Sequence, residues 1–426
     1  MITNLSTVKT NHAMFIYFIM ATFLCFEMAL QVSPGVMTQQ LMHDLKIDHA
    51  GLGFMSGAYF YTYAAMQIPA GLLLARYNIR YVVAIALCFC ISGILLLANA
   101  HQLWVGVLAR ILTGTGSAFG FVSVLVVAVR YFPAKQFALL AGIAQLLGAV
   151  GAMCGVAPLS SFVDWVGWRL ALVYLAFFGT FLVVSVLLFV RENAHEKQTQ
   201  VIEKKPTVLT ELLTILRLRQ NWAVAAYAFF SWVPMTAFAS LWGIPYLTTM
   251  YHFTPELGSA LIAMIWIGVA IGSPLAGIVS EWVSSRRLIL FMVGLLGLCS
   301  GLLVIYCQLN IYYLWILLFI MGIGSAGQAL SFAVVKDNNH SAESAALGFN
   351  NMAVVITGGL VQPLVGLLIT MGIHLSGAQN ELLGYRFALW IVPLSFFACM
   401  LLSKVFIKES HPQHMVLREK KEIEYA

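Results

Sequence analysis

Residues 69–80, PAGLLLARYNIR, end one long apolar segment of the chain and begin the next. A related stretch, PLAGIVSEWVSSRR, occupies residues 274–287. In both, a proline and a small-residue turn are followed by basic side chains, and a Leu-Gly pair precedes the proline, at Leu52-Gly53 and Leu257-Gly258. These features share an offset of about 205 residues. One match could arise by chance, but several at a single offset predict an internal duplication.

Apolar segments make up most of the chain around these two stretches. Hydrophobic residues account for 61% of the 426 residues and charged residues for 9%, whereas a soluble domain carries about 25% charged residues. So much apolar surface requires lipid as a second solvent. A helix that crosses the hydrocarbon core takes about 20 apolar residues. Twelve segments fit this length, namely 13–37, 50–74, 81–99, 104–129, 137–159, 168–190, 221–248, 257–279, 288–307, 311–334, 345–371 and 386–406.

The basic residues are shared unevenly between the two faces of this helix pattern. With the N-terminus in the cytoplasm, the opposite face keeps only Lys46, Arg169 and Arg386. The cytoplasmic face then holds Lys9, Arg76, Arg80, Arg130, Lys135, Lys204, Lys205, Arg217, Arg219, Arg286, Arg287, Lys336, Lys404 and Lys408. Cytoplasmic loops carry such an excess by the positive-inside rule, so we predict a bacterial inner-membrane protein with both termini cytoplasmic. The net charge of +6 is therefore a topology signal and predicts no nucleic-acid partner.

The charged stretch 191–220 separates two halves of similar length. It begins without apolar periodicity, and its end could form an amphipathic surface helix. We predict an N-terminal six-helix bundle over residues 1–190, a cytoplasmic linker over 191–220, a C-terminal six-helix bundle over 221–407 and a cytoplasmic tail over 408–426. The predicted fold class is an all-α membrane protein with twelve transmembrane helices in two pseudo-symmetric bundles. Internal repeats of this kind are a known transporter architecture.

The hairpin after the second helix of each half has a physical requirement of its own. We expect Gly71 and Gly277 to permit close approach of the backbones at a tight turn. The arginines that follow should anchor the hairpin among the lipid headgroups.

The segment Gly71–Arg80 also resembles the loop signature of the major facilitator superfamily, and the resemblance extends over nearly the whole chain. That signature normally has Asp where Ala75 stands and Gly where Asn78 stands, while the second half keeps the acid as Glu281. The resemblance implies that this acid helps to latch a cytoplasmic gate, and that the first half lacks the standard latch. We assign the gate to Gly71, Arg76, Arg80, Gly277 and Glu281.

Further motifs support the resemblance. Residues 110–116, RILTGTG, are similar to the family's Arg-then-Gly motif in helix four. Helix five carries a degraded Gly/Pro motif, which equally suits close helix packing; it consists of Gly148, Gly151, Gly155 and Pro158. Residues 31–37, QVSPGVM, and 241–246, LWGIPY, resemble a bacterial branch that is similar to lysosomal dipeptide transporters. The resemblance implies a monomer that works by alternating access between its two bundles.

Glu27 in helix one and Arg110 in helix four are the two ionisable side chains that fall well inside the predicted spans. Charge in the membrane interior is costly and marks a functional site by default. At 1.5 Å per residue, Glu27 lies about 21 Å from one face and Arg110 about 9 Å from the other, so the two share a depth. Two interpretations stay open: a static ion pair that holds the half-bundle together, or a role in substrate binding and proton coupling.

Polar side chains surround these two charges in the sequence pattern. Gln31 lies one helical turn after Glu27, and Pro34 should kink helix one and free a carbonyl near residue 30. Helix two presents Tyr59, Tyr63 and Gln67 on one face. We assign proton or substrate binding to Glu27, Gln31, Tyr63, Arg110, Gln145, Trp242, Gln328 and Asn350. For each lone amide, an interhelical hydrogen bond is the alternative.

We predict a proton-coupled secondary transporter of a small polar organic solute: an amino acid, short peptide, organic acid or siderophore-like molecule. The chain contains no G-x-x-x-x-G-K-[ST], H-E-x-x-H or G-x-S-x-G motif, so we predict no enzyme activity, catalytic residue, metal site or cofactor. The predicted partners are the solute, protons and the lipid bilayer. The alternatives are a scaffold or sensor that kept a transporter fold and, less favoured, a membrane-embedded enzyme that acts on lipid-linked substrates.

Overall fold

The structure is a computed structural model that describes residues 2–132, 136–190, 215–339, 343–375 and 381–410. Throughout these ranges every regular element is helical, which confirms the all-α fold class. The chain divides into two compact units, one of Met1–Ile202 with Phe253–Ser259 and one of Glu203–His252 with Ala260–Ala426. Most of the predicted linker (191–214) and the tail beyond residue 410 lie outside the described residues.

The helices are numbered in chain order through the two units. The first unit contains α1 (Ile2–Val32), α2 (Thr38–Leu45), α3 (His49–Arg76), α4 (Ile79–Ala98), α5 (Leu103–Ser117), α6 (Phe119–Tyr131), α7 (Phe137–Cys154), α8 (Ala157–Val166) and α9 (Trp168–Phe189). The second contains α10 (Arg219–Val233), α11 (Gly243–Tyr251), most of α12 (Pro255–Trp282), α13 (Arg286–Tyr306), α14 (Ile311–Ser325), α15 (Gly327–Asn338), α16 (Glu343–Leu375), α17 (Glu381–Leu389) and α18 (Ile391–Leu401). A π-helical segment, Pro234–Trp242, joins α10 to α11.

Eleven segments of the described chain are helical, long enough and apolar enough to cross a membrane. They coincide with eleven of the twelve predicted spans. The remaining one, 50–74, is α3, a helix of 28 residues that carries Tyr59, Tyr63 and Gln67 among its side chains. At 1.5 Å per residue, α3 is also long enough to cross the hydrocarbon core. The structure therefore agrees with twelve transmembrane helices.

The duplication is visible in a helix break that both units share. Helix α5 passes into α6 at Ala118, and α14 passes into α15 at Ala326, each time within a Gly-Ser-Ala sequence. The packing beside the break also repeats. A Cβ atom added to Gly114 would lie 2.2 Å from a backbone oxygen of α3, and one added to Gly322 would lie 2.1 Å from a backbone oxygen of α12. Glycine at both places lets α5 contact α3 and lets α14 contact α12.

Two of the helix-five glycines bring α7 against α1. A Cβ atom on Gly151 would lie 2.4 Å from the Cys25 carbonyl oxygen, and one on Gly155 would lie 2.6 Å from Ala29 Cα. For these two positions the predicted close helix packing is confirmed. Gly148 does not take part, because its added Cβ would make only an ordinary contact, 3.8 Å from the Met28 side chain.

The glycines that we expected to tighten the two hairpins do not do so. Among the described residues, a Cβ atom added to Gly71 or Gly277 would meet nothing within 4 Å, so the explanation by close backbone approach is wrong. Capping side chains shape these turns instead. Asn78 and Ser285 accept hydrogen bonds from backbone N–H groups at the starts of α4 and α13, at 2.9 and 3.2 Å. Each bond satisfies a donor that the first helical turn leaves free.

At the other end of the first unit, a polar cluster ties α2 to the start of α9. Asp44 Oδ2 accepts hydrogen bonds from Trp168 Nε1 at 3.1 Å and from Arg169 Nη2 at 3.4 Å. Arg169 also donates to the carbonyl oxygens of Ala98 and Ala100, at 2.7 and 2.9 Å. The hydrogen bonds from His43 and Trp168 lower the pKa of the Asp44 carboxyl. Because the pKa of Asp44 is lower in the folded state, its carboxylate stabilises the fold at any pH above the unfolded-state pKa. This stabilisation is lost as the pH falls through the folded-state pKa.

Candidate functional site

Glu27 lies in the middle of α1 and is 0% exposed. One carboxylate oxygen, Oε2, accepts a hydrogen bond from the Tyr59 hydroxyl of α3 at 3.0 Å. The other, Oε1, is buried and has no hydrogen-bond partner among the described residues. The side chain packs against Gly120 of α6, where an added Cβ atom would lie 2.7 Å from Glu27 Cγ. The carboxylate thus sits in a tight site with half of its bonding capacity unused.

Arg110 lies in α5 and is 2% exposed. Its Nη1 donates to the Leu30 carbonyl oxygen at 2.9 Å, and its Nη2 donates to the Gln31 carbonyl oxygen at 3.2 Å. These carbonyls are free because α1 ends at Val32 and passes into a 3₁₀ turn that contains Pro34, which has no N–H to offer them. The predicted free carbonyl near residue 30 is therefore confirmed. A guanidinium group at this place caps the negative end of the helix dipole.

Tyr59 connects the two charged side chains. Its hydroxyl binds Glu27, and the guanidinium carbon of Arg110 lies 4.5 Å from the centre of its ring, within cation–π range. Both charged side chains therefore contact the same tyrosine, Glu27 its hydroxyl and Arg110 its ring. Within the described residues, however, no ion pair of 4 Å or less joins Glu27 to Arg110. The interpretation as a static ion pair is wrong for this conformation, since Arg110 is occupied by carbonyl oxygens instead.

Of the other predicted residues of the first unit, some lie beside the cluster of Glu27, Tyr59 and Arg110 and one does not. The Tyr63 ring lies 5.7 Å from the Tyr59 ring, centre to centre, and its hydroxyl lies beside Glu27 and Gln67. Gln31 is 8% exposed, and its backbone carbonyl is one of the two that bind Arg110. Gln145 is exposed on α7, unlike the buried cluster. The sequence did not predict that Tyr59 contacts both Glu27 and Arg110, because helical periodicity places Tyr59 and Tyr63 on the same face of α3 and does not distinguish them.

In the second unit, Trp242 ends the π-helical segment and is fully buried. Its Nε1 donates to the Gln362 carbonyl oxygen at 3.3 Å, and Gln362 Nε2 donates to the Thr236 carbonyl oxygen at 2.9 Å. These bonds fasten α16 to the π-helical segment. Short π-helical stretches inside α-helices are frequent at functional sites. The Oε1 atom of Gln362 is buried without a hydrogen-bond partner among the described residues.

The two remaining predicted amides of this unit lie on neighbouring helices. Gln328 near the start of α15 is 6% exposed, and Asn350 in α16 is 0% exposed. Asn350 Nδ2 donates to Ser331 Oγ at 2.9 Å, so this amide does make the interhelical hydrogen bond that was the alternative interpretation. Its Oδ1 is nevertheless buried without a partner in the described part of the chain. Both unpartnered amide atoms of the second unit, in Asn350 and Gln362, are acceptors.

Glu281, the acid of the predicted gate, takes part in a charged cluster at the α12–α13 hairpin. Arg286 Nη2 lies 2.6 Å from Glu281 Oε1, and Arg286 Nε lies 3.3 Å from Asp337 Oδ2 at the end of α15. Glu409, just beyond α18, accepts a hydrogen bond from Arg286 N at 2.9 Å, one from Arg287 N at 3.3 Å and one from the Ser285 hydroxyl. The sequence pattern did not predict Asp337 or Glu409, because each is far from the hairpin along the chain.

The predicted gate residues of the first unit form no comparable cluster among the described side chains. Arg76 is exposed. The Arg80 guanidinium lies 5.5 Å from the centre of the Tyr81 ring, and its Nε is buried without a hydrogen-bond partner. The side chain of Ala75 lies outside the described part. The first-unit hairpin is thus fastened differently from its counterpart, as the missing acid implied.

The contact between Gly120 and Glu27 leads to a testable prediction. A Cβ atom at Gly120 would lie 2.7 Å from Glu27 Cγ and 3.2 Å from Oε1, so Gly120→Ala must displace the carboxylate from its position beside Tyr59. We expect a loss of about 1–3 kcal/mol in stability, which is typical of overpacking, measured as a lower melting temperature in detergent.

Gly142→Ala in α7 is the matched control, because its Cβ would meet nothing within 4 Å. Gly142→Ala gains about 0.5–1 kcal/mol of helix propensity in the interior of α7, and Gly120→Ala, in the first turn of α6, gains no more than that. A loss of stability by Gly120→Ala relative to Gly142→Ala that exceeds this gain therefore reports the contact with Glu27. Equal melting temperatures would contradict the prediction.

Sequence and fold comparisons place these sites in a known family. The sequence profile described as Major Facilitator Superfamily matches residues 18–361 and 236–425. A search of curated proteins gave no match. The structure of a bacterial homologue of the human lysosomal transporter Spinster, inward-facing and occupied, has a TM-score of 0.73 and 15% identity, covering 92% of this chain and 97% of that chain. Its inward-facing unoccupied form gives 0.73 and 15%, with coverage of 93% and 98%.

A mutant of the nucleoside transporter NupG has a TM-score of 0.75 at 12% identity, covering 93% of this chain and 100% of that chain. At these identities the likeness establishes the fold alone. The narrower resemblance to a dipeptide-transporter branch stays a prediction. The profile match spans nearly the whole chain and agrees with the helix pattern, so the chain belongs to the major facilitator superfamily, a family of membrane transporters.

Proposed function

We propose that this protein is a proton-coupled secondary transporter of a small polar organic solute, working by alternating access. The observation that carries the proposal is the Glu27 carboxylate, fully buried in a membrane-spanning helix with Oε1 unpartnered among the described residues. An ionised carboxylate in such a place is costly, and binding a proton removes its charge. The site can thus exist in two charge states, which is the minimum that a proton-coupled step requires.

The position of Tyr59 gives this titration a route to the rest of the unit. The Tyr59 hydroxyl donates a hydrogen bond to Glu27, and the Tyr59 ring packs against Arg110. Arg110 in turn caps the end of α1. A change in the charge of Glu27 alters the hydrogen bond to Tyr59, and Tyr59 contacts the arginine that holds α1 in place. We propose that protonation of Glu27 loosens this chain of contacts and allows α1 to move.

The solute that we favour carries N–H donors, as an amino acid or short peptide does. Arg110 keeps one buried donor, Nε, without a partner among the described residues, and this donor suits the carboxylate of such a solute. In the second unit, by contrast, Asn350 Oδ1 and Gln362 Oε1 are buried acceptors without partners in the described part of the chain. An acceptor left unpaired in a buried site is unfavourable by about 1–3 kcal/mol, and a solute with an ammonium or amide group would satisfy it.

Uptake into proteoliposomes tests the proposal. A library of radiolabelled amino acids, di- and tripeptides, organic acids and nucleosides is offered with and without an inward proton gradient. We expect accumulation of at least one amine-bearing solute that requires both the protein and the gradient. If no solute in the library is transported with or without a gradient, the scaffold or sensor alternative gains. Chemical conversion of a lipid-linked substrate would favour the enzyme.

We further propose that the protein is a monomer in a bacterial inner membrane with both termini cytoplasmic. Helix α13 offers a test, since Val283 and Cys307 flank its two ends and both are exposed. In an otherwise cysteine-free protein, an impermeant maleimide should label Cys307 in intact cells. Val283→Cys, beside the basic pair Arg286 and Arg287, should react only after permeabilisation, by the positive-inside rule. The reverse pattern would overturn the orientation.

A further inference from the structure

A groove lies at the Tyr306 end of α13, opposite the end that carries the Arg286 cluster. It has a volume of about 460 Å³ and opens between α13, α16 and the start of α17–α18. Its lining has a polar wall, formed by Tyr306 and Arg386, and an apolar wall, formed by Leu375, Leu383, Phe387 and Trp390. Neither the predicted transport site nor the gate uses any of these residues.

The floor of the groove is a close crossing of two helices. Gly372 of α16 lies against Gly384 of α17, and a Cβ atom on Gly372 would lie 2.8 Å from Gly384 Cα and 3.4 Å from Phe387 Cβ. This contact fixes how α16 and α17 cross where they line the groove.

The polar wall is held rigidly. The Tyr306 hydroxyl donates to the Arg386 carbonyl oxygen at 3.0 Å, and the Tyr306 and Trp390 rings lie 5.3 Å apart, centre to centre. The Tyr246 hydroxyl lies beside the Arg386 guanidinium. Arg386 Nε is buried without a hydrogen-bond partner among the described residues, and no carboxylate within 4 Å pairs with this arginine there. The groove thus presents a cation that has unused donor capacity.

The apolar wall faces outward. Leu375 is 79% exposed, and Leu383, Phe387 and Trp390 are about half exposed. In a membrane protein such residues at the end of a spanning helix contact the upper part of the lipid chains, and Tyr and Trp lie at the level of the headgroups. An arginine set among them sits where lipid phosphates lie.

We propose that this groove binds one phospholipid with an anionic headgroup. Its phosphate accepts hydrogen bonds from the Arg386 guanidinium, and one acyl chain lies along Leu375, Leu383 and Phe387. Arginine matches a phosphate because its planar N–H groups bind two oxygens at once. Basic pockets between transmembrane helices bind lipid headgroups on the cytoplasmic side of other membrane proteins, and the same chemistry is inferred here for Arg386 on the opposite face. The charge of Arg386 and the outward apolar wall favour a lipid over a free anion. The inference does not rest on the proposed transport activity.

Native mass spectrometry of the full-length protein in detergent tests it. The protein is titrated with dioleoyl phosphatidylglycerol, dioleoyl phosphatidylcholine and inorganic phosphate. We expect the first phosphatidylglycerol to bind about tenfold more tightly than phosphatidylcholine, because both present an anionic phosphate to Arg386 but phosphatidylcholine adds a quaternary ammonium group that the arginine repels. Arg386→Gln should remove this preference, whereas Arg386→Lys should keep part of it.

Lys46→Gln is the matched control, because it removes one exposed cation from the face that Arg386 is predicted to share. It should leave the preference unchanged. Leu375→Ser, at a highly exposed position, should weaken both lipids alike without unfolding the protein. The proposal is overturned if Arg386→Gln binds phosphatidylglycerol within twofold of the parent, or if Lys46→Gln loses as much. It is equally overturned if inorganic phosphate displaces the bound lipid, since the site would then be one for small anions.

Discussion

Glu27→Gln is expected to abolish accumulation driven by a proton gradient while leaving solute exchange intact. The substitution keeps the shape of the side chain and its contact with Gly120, and the amide oxygen that it introduces can still accept the bond from Tyr59. It removes the one acidic proton site that is fully buried in α1. A permanently neutral side chain mimics the protonated state, so the protein can still bind solute and alternate. The accumulation ratio in proteoliposomes should fall to about one, the value for equilibration without a driving force.

The appropriate measurement compares two assays on one preparation. Counterflow exchange, which needs no proton movement, should stay close to the parent value, and gradient-driven uptake should be lost. Tyr59→Phe is the companion variant, because it removes the hydrogen bond to Oε2 and leaves both the carboxylate and the ring beside Arg110. The proposed chain of contacts is then permanently loosened while the proton site remains, so the accumulation ratio should fall part of the way toward one. Accumulation by Glu27→Gln equal to that of the parent would exclude Glu27 as the coupling group and leave it a structural role.

Arg110→Ala should destabilise the first unit strongly, and by more than Gly120→Ala does. The buried carbonyl oxygen of Gln31 would lose the donor that now satisfies it, and that of Leu30 would keep only the hydrogen bond from the Ser33 hydroxyl at 3.0 Å. Each unsatisfied acceptor costs about 1–3 kcal/mol, and the cavity left by the side chain adds to this loss. We expect poor expression and a marked drop in melting temperature in detergent. Arg110→Lys should recover part of the loss, because one ammonium group can bond to either carbonyl.

Arg76→Ala is the control for the removal of a basic side chain as such. Arg76 is exposed at the end of α3, and exposed positions usually respond by about 0.5 kcal/mol or less. Its melting temperature should match that of the parent. If Arg110→Ala were purified with an unchanged melting temperature, the capping role inferred from the two hydrogen bonds would be wrong. Arg110 would then be free to serve the solute.

Periodicity and composition sufficed for the fold, because a lipid environment imposes the same length and polarity on every span. The carbonyl freed by Pro34 was predictable for a similar reason, since it follows from the covalent structure of proline alone. The partners of Arg110 were not predictable. Helical rise gives the depth of a residue, but which of several polar groups at that depth it contacts depends on how the helices are rotated about their axes.

The charged cluster at the α12–α13 hairpin shows the same limit in another form. The pairing of Glu281 with Arg286 lies within one local motif, and the sequence drew attention to the acid. Asp337 and Glu409, however, contact Arg286 from 51 and 123 residues away along the chain. A local sequence pattern cannot predict contacts between residues so far apart. The prediction that Gly71 and Gly277 allow close backbone approach was wrong for a different reason. A small residue permits a close contact but does not require one.

Glu409 has a consequence for the order in which the protein is made. The hairpin that it caps is translated well before it, since 124 residues separate Ser285 from Glu409. During synthesis, α12 and α13 therefore enter the membrane with the N–H groups of Arg286 and Arg287 still lacking this acceptor. They receive it only after the last helix has been inserted. A chain that ended at residue 406 would contain every described spanning helix but would lack this carboxylate, so the two N–H groups at the start of α13 would stay without this acceptor.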